Sequence, residues 1–328
     1  MQMSKYANKV LVTGGAGYIG AITSRLLSKE GYEPIIFDNF DNGVREAVGG
    51  FEIIEGDLRD YEAIYAALHT VRPRGVIHFA ALKGAGESME IPEEYYQNNV
   101  GGSVNLFKAM EQTGVRNIVF SSSAAVYGQP DKNPIHEDDP TIPTTVYGHT
   151  KLQVEEVLAW LGKLNRMASI RLRYFNVAGA LEDGTLGEAS PKLLNIIPLI
   201  IETARKKRTF TLFGNDYPTP DGTCIRDYID VVDLARAHIL AYKRLFDIEG
   251  SEYYNVGVGK GYSNLELIQM VKEISGVDFE YTVGLRREGD PAQFFADNSK
   301  ITNALGWKPE CSIRDSIQHA WNWHNRKD

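Results

Sequence analysis

Tyr147 and Lys151 stand four residues apart and therefore share one face of any helix that carries them. A phenol beside an ammonium can transfer protons. The phenol ordinarily titrates near pH 10, so a base role at neutral pH requires lowering it by about 3 units, about 4 kcal/mol. The charge on Lys151 favours the phenolate, and a second positive charge nearby would add to it. Ser123 closes the run Asn117-Ile118-Val119-Phe120-Ser121-Ser122-Ser123 and could hydrogen-bond the same substrate hydroxyl. Taken alone, a Tyr/Lys pair at this spacing arises by chance on many helices, so its meaning depends on the elements that must position it.

The most informative of these lies near the start. Val10-Leu11-Val12-Thr13 is a short β-branched run, and Gly14-Gly15-Ala16-Gly17-Tyr18-Ile19-Gly20 follows it. A glycine turn lets the backbone approach a pyrophosphate, and a helix over Ile19 to Glu30 would aim unpaired N–H groups at the anion. A second strand, Ile35-Ile36-Phe37, ends in Asp38, 18 residues beyond Gly20. An acid there accepts the adenosine ribose hydroxyls and repels a 2′-phosphate, which favours NAD over NADP. A bare glycine triad is weak evidence; with strand, helix and acid in order it becomes specific. An oxidised nicotinamide would supply the second positive charge beside Tyr147.

Strand signals recur at Phe51-Glu52-Ile53-Ile54, Gly75 to Phe79, Asn117 to Phe120 and Ser169 to Leu172, with helical stretches between them. The alternation predicts an α/β fold, a Rossmann-type doubly wound parallel sheet, with ligands outside the carboxyl ends of its strands. After Asn176 the alternation breaks. A loop rich in glycine and acid leads to the helix candidate Leu193 to Ala204, Ser263 with Glu266 reads as a capping box, and Ile313 to Trp323 as a terminal helix. The expectation is a dinucleotide-binding domain over residues 1–177 and a smaller mixed α/β substrate domain over 178–328, with parts of 225–260 returning to the first.

Composition narrows the function classes. A net charge of −8 argues against nucleic-acid and anionic-membrane partners, and no run of 18 apolar residues is present. The N-terminus Met1-Gln2-Met3-Ser4-Lys5 leads to no signal-like apolar core, which makes the cytoplasm the expected location. Cys224 and Cys311 read as reduced thiols, and neither they nor the scattered histidines have metal-ligand spacing, so no metal is expected.

The chain resembles the extended short-chain dehydrogenase/reductase superfamily and, within it, the UDP-glucose 4-epimerases, from about Lys9 to the C-terminal helix. Thr13 to Gly20 and Tyr147-xxx-Lys151 mark the superfamily. Ala81-Leu82-Lys83 with Gly86-Glu87-Ser88, Tyr95 to Val100, Phe213-Gly214-Asn215-Asp216-Tyr217-Pro218 through Arg226-Asp227-Tyr228, and Arg286-Arg287-Glu288-Gly289-Asp290 resemble the epimerases in particular.

The resemblance implies reversible C4 epimerisation of UDP-glucose and UDP-galactose through a transient 4-keto intermediate, with tightly bound NAD and a homodimer as the assembly. Tyr147 matches the catalytic base, Lys151 the lysine on the nicotinamide ribose and Ser123 the serine on the sugar hydroxyl. Gly14, Gly17, Tyr18, Ile19 and Gly20 fall where the family holds NAD, as do Asp38, Asn39, Asn42 and Gly43. So do Asp57 with Leu58, Phe79, Ala80, Ala81 and Lys83, then Asn98 and Phe175. Asn176, Asn195, Arg226, Tyr228, Arg287 and Asp290 fall at the UDP moiety, with Leu212 and Phe213 near the uracil. The charges fit that role independently, because two guanidiniums can clamp a diphosphate and Asp290 can accept ribose hydroxyls. Phe294, four residues beyond Asp290, falls at the family's gate beside the sugar C2 substituent; Phe295 or Gln293 is the alternative for that wall.

The chain departs from the family pattern at Val146, usually proline, at His149, usually basic or amide, in a shortened loop between Gly187 and Asn195, and in the local order around Pro291-Ala292-Gln293. Three other readings compete: an NAD-dependent epimerase of N-acetylhexosamine or uronic acid UDP-sugars, a nucleotide-sugar dehydratase or decarboxylase, and a non-catalytic NAD sensor. An eliminating enzyme usually has an acid just past the fifth-strand tip, where this chain has Ala124 and Ala125. A sensor has no need of Ser123, Tyr147 and Lys151 together.

Overall fold

The computed structural model describes residues 8–189, 193, 195–287 and 289–326. The N-terminal stretch 1–5, residues 190–192 of the loop before Asn195, Leu194 of the helix candidate and Glu288 of the basic motif lie outside the described residues. In chain order the strands are β1 (Lys9–Thr13), β2 (Glu33–Asp38), β3 (Glu52–Glu55), β4 (Gly75–His78), β5 (Asn117–Ser121), β6 (Ala168–Tyr174), β7 (Asn176–Ala178), β8 (Phe210–Phe213), β9 (Ile225–Asp230), β10 (Ser251–Val256), β11 (Gly261–Ser263), β12 (Tyr281–Gly284) and β13 (Gln293–Phe294).

The chain forms two compact units. The first takes in the residues up to Gly128, Thr141–Arg173 and Ala235–Tyr254. Its sheet runs in the order β10-β6-β5-β4-β1-β2-β3, and the pairings from β6 through β3 are all parallel. These strands are nearly continuous apolar runs, as a sheet covered on both faces demands. Leu11, Val76, Ile118 and Phe120 are buried in one core cluster with Leu106, Val154 and Leu158 from the covering helices. Each such side chain contributes about 1.5–3 kcal/mol of burial. Strand order reverses at β1, which pairs with β2 on one side and β4 on the other. That switch point is where an open α/β sheet leaves a crevice at its carboxyl edge.

The helix Val146–Lys163 begins at Thr145, whose hydroxyl accepts a hydrogen bond from the Gly148 N–H at 3.1 Å. It buries Val154 and Leu158 on the face that also carries Tyr147, Lys151 and Glu155. The periodicity that puts catalytic candidates on one face thus also anchors that face to the core.

The second unit comprises Gln129–Pro140, Tyr174–Leu234 and the residues from Asn255 onward. β9 is its central strand: β11 pairs with it antiparallel, while β13 and β7 pair with it parallel. β8 and β12 form a separate parallel pair. The helices Ile196–Lys206, Asn264–Ser275 and Ile313–Asn325 bury Ile200, Ile201, Leu267, Ile268 and Ile317 in one cluster. The capping box of Ser263 and Glu266 is formed with both hydrogen bonds, and Ser312 with Asp315 forms a second. Each cap is worth about 1 kcal/mol.

The boundary falls at Tyr174 rather than after residue 177, and two further segments depart from a single cut. Gln129–Pro140, expected in the first domain, belongs to the second unit. Ile135 bridges to Ala296, Asn133 donates to the Gln293 carbonyl at 3.1 Å, and the Glu137 carboxylate accepts the Asn255 N–H at 2.8 Å. Ala235–Tyr254, the larger part of the helix Val231–Arg244 and the start of β10, belongs to the first unit.

Candidate active site

In the first unit the glycine turn lies at the switch point. Gly14 has φ +68°, and a Cβ there would come within 2.5 Å of the Ala80 nitrogen, so the ends of β1 and β4 meet only because this residue is glycine. The Phe79 and Ala80 N–H groups both donate to the Thr13 carbonyl. A Cβ on Gly20 would strike the Gly14 carbonyl at 2.4 Å, which allows the helix Tyr18–Lys29 to start directly under the turn. Its N-cap, Gly17, supplies no side-chain acceptor, and the first turn contains no acid. The N–H groups of that turn are thereby left for an anion.

Asp38 ends β2 almost fully buried. Its carboxylate accepts N–H groups from Ala16 and Phe40, each at 2.9 Å, and burial raises its pKa against the pull of those bonds. Asn39 donates to Asp57 at 2.9 Å. The Arg59 hydrogen bonds, helped by Asn39, lower Asp57 to about 2. A Cβ on Gly43 would meet the Asp38 carboxylate at 2.8 Å, so glycine keeps that edge open. Asn42 and Lys83 are exposed, and the Leu58 side chain lies in the core cluster. This acid, the uncapped helix and the glycine-lined turn together fit the adenosine diphosphate half of NAD.

A π-helical turn over Tyr96–Gly101 carries Asn98 and Asn99. Asn98 donates to Asn99, and Asn99 holds the loop after β4 through both the N–H and the carbonyl of Leu82, while also donating to the Thr150 hydroxyl. The Ser88 hydroxyl accepts the Tyr147 N–H at 3.1 Å. Asn99, Ser88 and Thr150 stand outside the sequence-derived site residues, and their spacing alone gives no signal of these bonds.

Lys151 is buried. Its ammonium donates to the Ser121 carbonyl at 2.9 Å and lies 5.9 Å from the Tyr147 ring. Burial lowers it to about 7 against the opposing pull of Glu155. His78 is pushed down to about 3 by burial and by Lys151, so it stays neutral there. Tyr147 is buried in the first turn of its helix. A Cβ on Gly148 would meet the Ala125 carbonyl at 2.5 Å, so glycine draws this helix onto the turn that follows Ser123. The Ser123 hydroxyl oxygen accepts the Ala125 N–H at 3.1 Å and keeps its own proton to donate.

The second unit holds a pocket of its own. It is lined by Asn176, Asn195, Leu212, Phe213, Arg226, Tyr228, Arg287 and Asp290, all of them sequence-derived candidates. The buried Arg226 Nη2 pairs with the Asp290 carboxylate at 3.2 Å, without the alignment of a hydrogen bond. A buried guanidinium whose one carboxylate partner is poorly aligned suits a phosphate oxygen. Arg287 lies 4.6 Å above the Phe213 ring, and Asn195 caps the helix Ile196–Lys206 without a side-chain bond because its amide is turned to Glu188 at 3.3 Å. Cys224 and Asn264 also line this pocket, with Asn264 donating to the Cys224 sulfur, a placement created only by the fold. Phe175 packs on Phe294, and Phe294 pairs in register with Arg226.

The sequence pattern of the NAD dependent epimerase/dehydratase family matches residues 10–257. The chain belongs to that family. A UDP-glucose 4-epimerase of Lactobacillus helveticus is 44% identical over 319 residues, which cover 96% of this chain and 97% of the relative. A crystal structure of UDP-glucose 4-epimerase from Brucella ovis in complex with NAD superposes with a TM-score of 0.93 at 41% identity, covering 97% of this chain and 98% of that one. The UDP-Glc/GlcNAc 4-epimerase of Campylobacter jejuni superposes with a TM-score of 0.85 at 40% identity, covering 96% and 98%. Family membership therefore leaves the choice of sugar to the residues around the pocket. Among the described residues no group of three His, Cys, Asp or Glu side chains could hold a metal ion, and no helix is long and apolar enough to cross a membrane.

Proposed function

We propose that this chain interconverts UDP-glucose and UDP-galactose at C4 through a transient 4-keto sugar. The observation that carries this reading is the buried Lys151, one turn after Tyr147 and bonded to the strand tip that carries Ser123. Gly14, Gly17, Gly20, Asp38 and Lys151 are the principal residues that would hold NAD. When bound, NAD supplies a redox centre that takes up the C4 hydrogen and returns it to the opposite face, so the net reaction needs no external oxidant.

The chain's own groups manage the proton and the geometry. Tyr147 accepts the proton of the sugar 4-hydroxyl and gives it back after the hydrogen returns. Lys151, while charged, stabilises the phenolate. Ser123 donates to the oxygen that loses its proton and holds it in line. Arg226 and Arg287 neutralise the diphosphate, Asp290 accepts the uridine ribose hydroxyls, and Leu212 and Phe213 border the uracil. Asn176, Asn195 and Tyr228 complete the wall. Ala124, where an eliminating enzyme would carry its acid, is buried and can move no proton, which disfavours the dehydratase reading.

Phe294 is the residue proposed to decide between hexoses and their N-acetylated forms. The assembly proposed is a homodimer through the helix that bears Tyr147 and Lys151. Trp160 on that helix is 62% exposed, and Val104 on the helix Gly102–Thr113 is 45% exposed. The location proposed is the cytoplasm. Interconversion of the two UDP-hexoses by the purified protein tests the proposed activity.

A further inference from the structure

The three serines at the end of β5 face different partners. The Ser121 carbonyl takes the Lys151 ammonium, and the Ser123 hydroxyl caps the next turn. Ser122, which is fully buried and points to neither group, donates its hydroxyl to the Glu155 carboxylate at 2.5 Å. Glu155 is itself buried and lies one helical turn beyond Lys151, extending the Tyr147, Lys151 face by another turn. The Arg173 guanidinium grips that carboxylate with Nε at 3.0 and 3.1 Å and Nη2 at 2.6 Å, and donates from Nη1 to the Tyr127 hydroxyl at 2.9 Å. Arg171 adds an ion pair at 3.9 Å.

A buried ion pair is poor value as a stabiliser, because the desolvation of two charges consumes most of their attraction. Its geometric effect is larger. Glu155 ties together the helix with Tyr147 and Lys151, the strand tip with Ser121 to Ser123, and β6. We propose that Glu155 and Ser122 are positioning residues for the epimerisation site: through Ser122 the carboxylate fixes the register of the serine tip against the Tyr147 helix, and it stands as a negative charge one helical turn from Lys151. This rests on the reading given under Proposed function.

The groups around the two side chains are few. Lys151 faces Tyr147 and Glu155 on its own helix and His78 from β4, the last held neutral by its burial. Glu155 faces Arg171 and Arg173 from β6, and the Tyr253 ring of β10 lies within 5 Å of both guanidiniums. Glu155 is thus the negative partner that raises Lys151 against the effect of burial.

Ser122→Ala removes one hydroxyl and leaves the Glu155–Arg173 pair intact. A misplacement on the ångström scale costs up to about 100-fold. The expected result for Ser122→Ala is a kcat lowered about 10-fold, with KM for UDP-glucose and the thermal midpoint nearly unchanged. Lys151 can be titrated without turnover by NMR of lysine labelled with 13C at Cε, its signal assigned by loss in Lys151→Met. In Glu155→Gln that midpoint is expected to fall by about one unit, and Glu155→Asp restores part of it. A purely structural role would change stability and leave the Lys151 midpoint where it was. If Glu155→Gln fails to fold because Arg173 loses its carboxylate partner, Ser122→Ala and Glu155→Asp decide. A Ser122→Ala kcat within about twofold of wild type, or a Lys151 midpoint unmoved in the Glu155 variants, overturns the proposal. Wild-type protein that converts no UDP-hexose would defeat the functional reading instead, and the NMR titration would still judge Glu155.

Discussion

The ring of Phe294 packs against that of Phe175, with centroids 5.1 Å apart and planes at 43°. Phe175 is buried, so the Phe294 ring is braced on that side. At the gate proposed for Phe294, an acetamido group would have to displace that ring, and overpacking of this sort costs about 1–3 kcal/mol, roughly 5- to 150-fold in relative kcat/KM. The enzyme is therefore expected to prefer UDP-glucose and UDP-galactose, and Phe294→Cys to gain activity on UDP-N-acetylglucosamine. Comparable wild-type efficiency on the N-acetylated pair, or no gain in the variant, would remove Phe294 from this role.

Tyr147→Phe is expected to lose nearly all turnover while still binding NAD and UDP, because it deletes a proton acceptor and keeps the ring. Loss of a general base costs about 10²- to 10⁴-fold. Steady-state kinetics with calorimetric UDP binding separates the two effects; a variant retaining more than about a tenth of wild-type turnover excludes Tyr147 as the base.

NAD is expected to co-purify, since a redox-neutral cycle gains nothing by releasing it. Chromatography of the supernatant from denatured protein should find NAD or NADH. NADP in its place, or protein active only with a large excess of added NAD, would contradict the role read for Asp38, whose buried carboxylate should repel a 2′-phosphate.

These expectations rest on features that differ in how readable they were. The placement of the glycine turn, of Asp38 and of the Tyr147, Lys151 pair was legible because each follows from local spacing, and the turn stands where β1 and β4 meet. The placement of Gln129–Pro140 was not, since its partners, Gln293 and Gly289, lie 160 residues away. The bonds of Asn99, Ser88 and Glu155 were likewise invisible: a buried amide, hydroxyl or carboxylate does not show its hydrogen-bond partners in the sequence. Cys224 and Asn264 enter the pocket because β9 and the helix Asn264–Ser275 come together, which no local pattern records.

Asp57 gives a pH-dependent test. Its folded pKa, about 2, lies below the ordinary 3.8, so the stabilisation it gains from Arg59 is complete above about pH 4 and is lost as pH falls through 2. Asp57→Asn should be less stable than wild type at pH 6 by under about 1 kcal/mol, the pair being partly exposed. Urea unfolding should show that gap closing toward pH 2. A gap that is constant with pH would mean the carboxylate charge contributes nothing.

Incubating the purified protein with UDP-galactose and no added NAD, then separating the UDP-hexoses by chromatography, decides whether the chain epimerises at C4 with its own NAD. UDP-glucose is expected to appear, with the same final ratio reached from either sugar. Unchanged UDP-galactose, or a dehydrated or decarboxylated nucleotide sugar in its place, would contradict it.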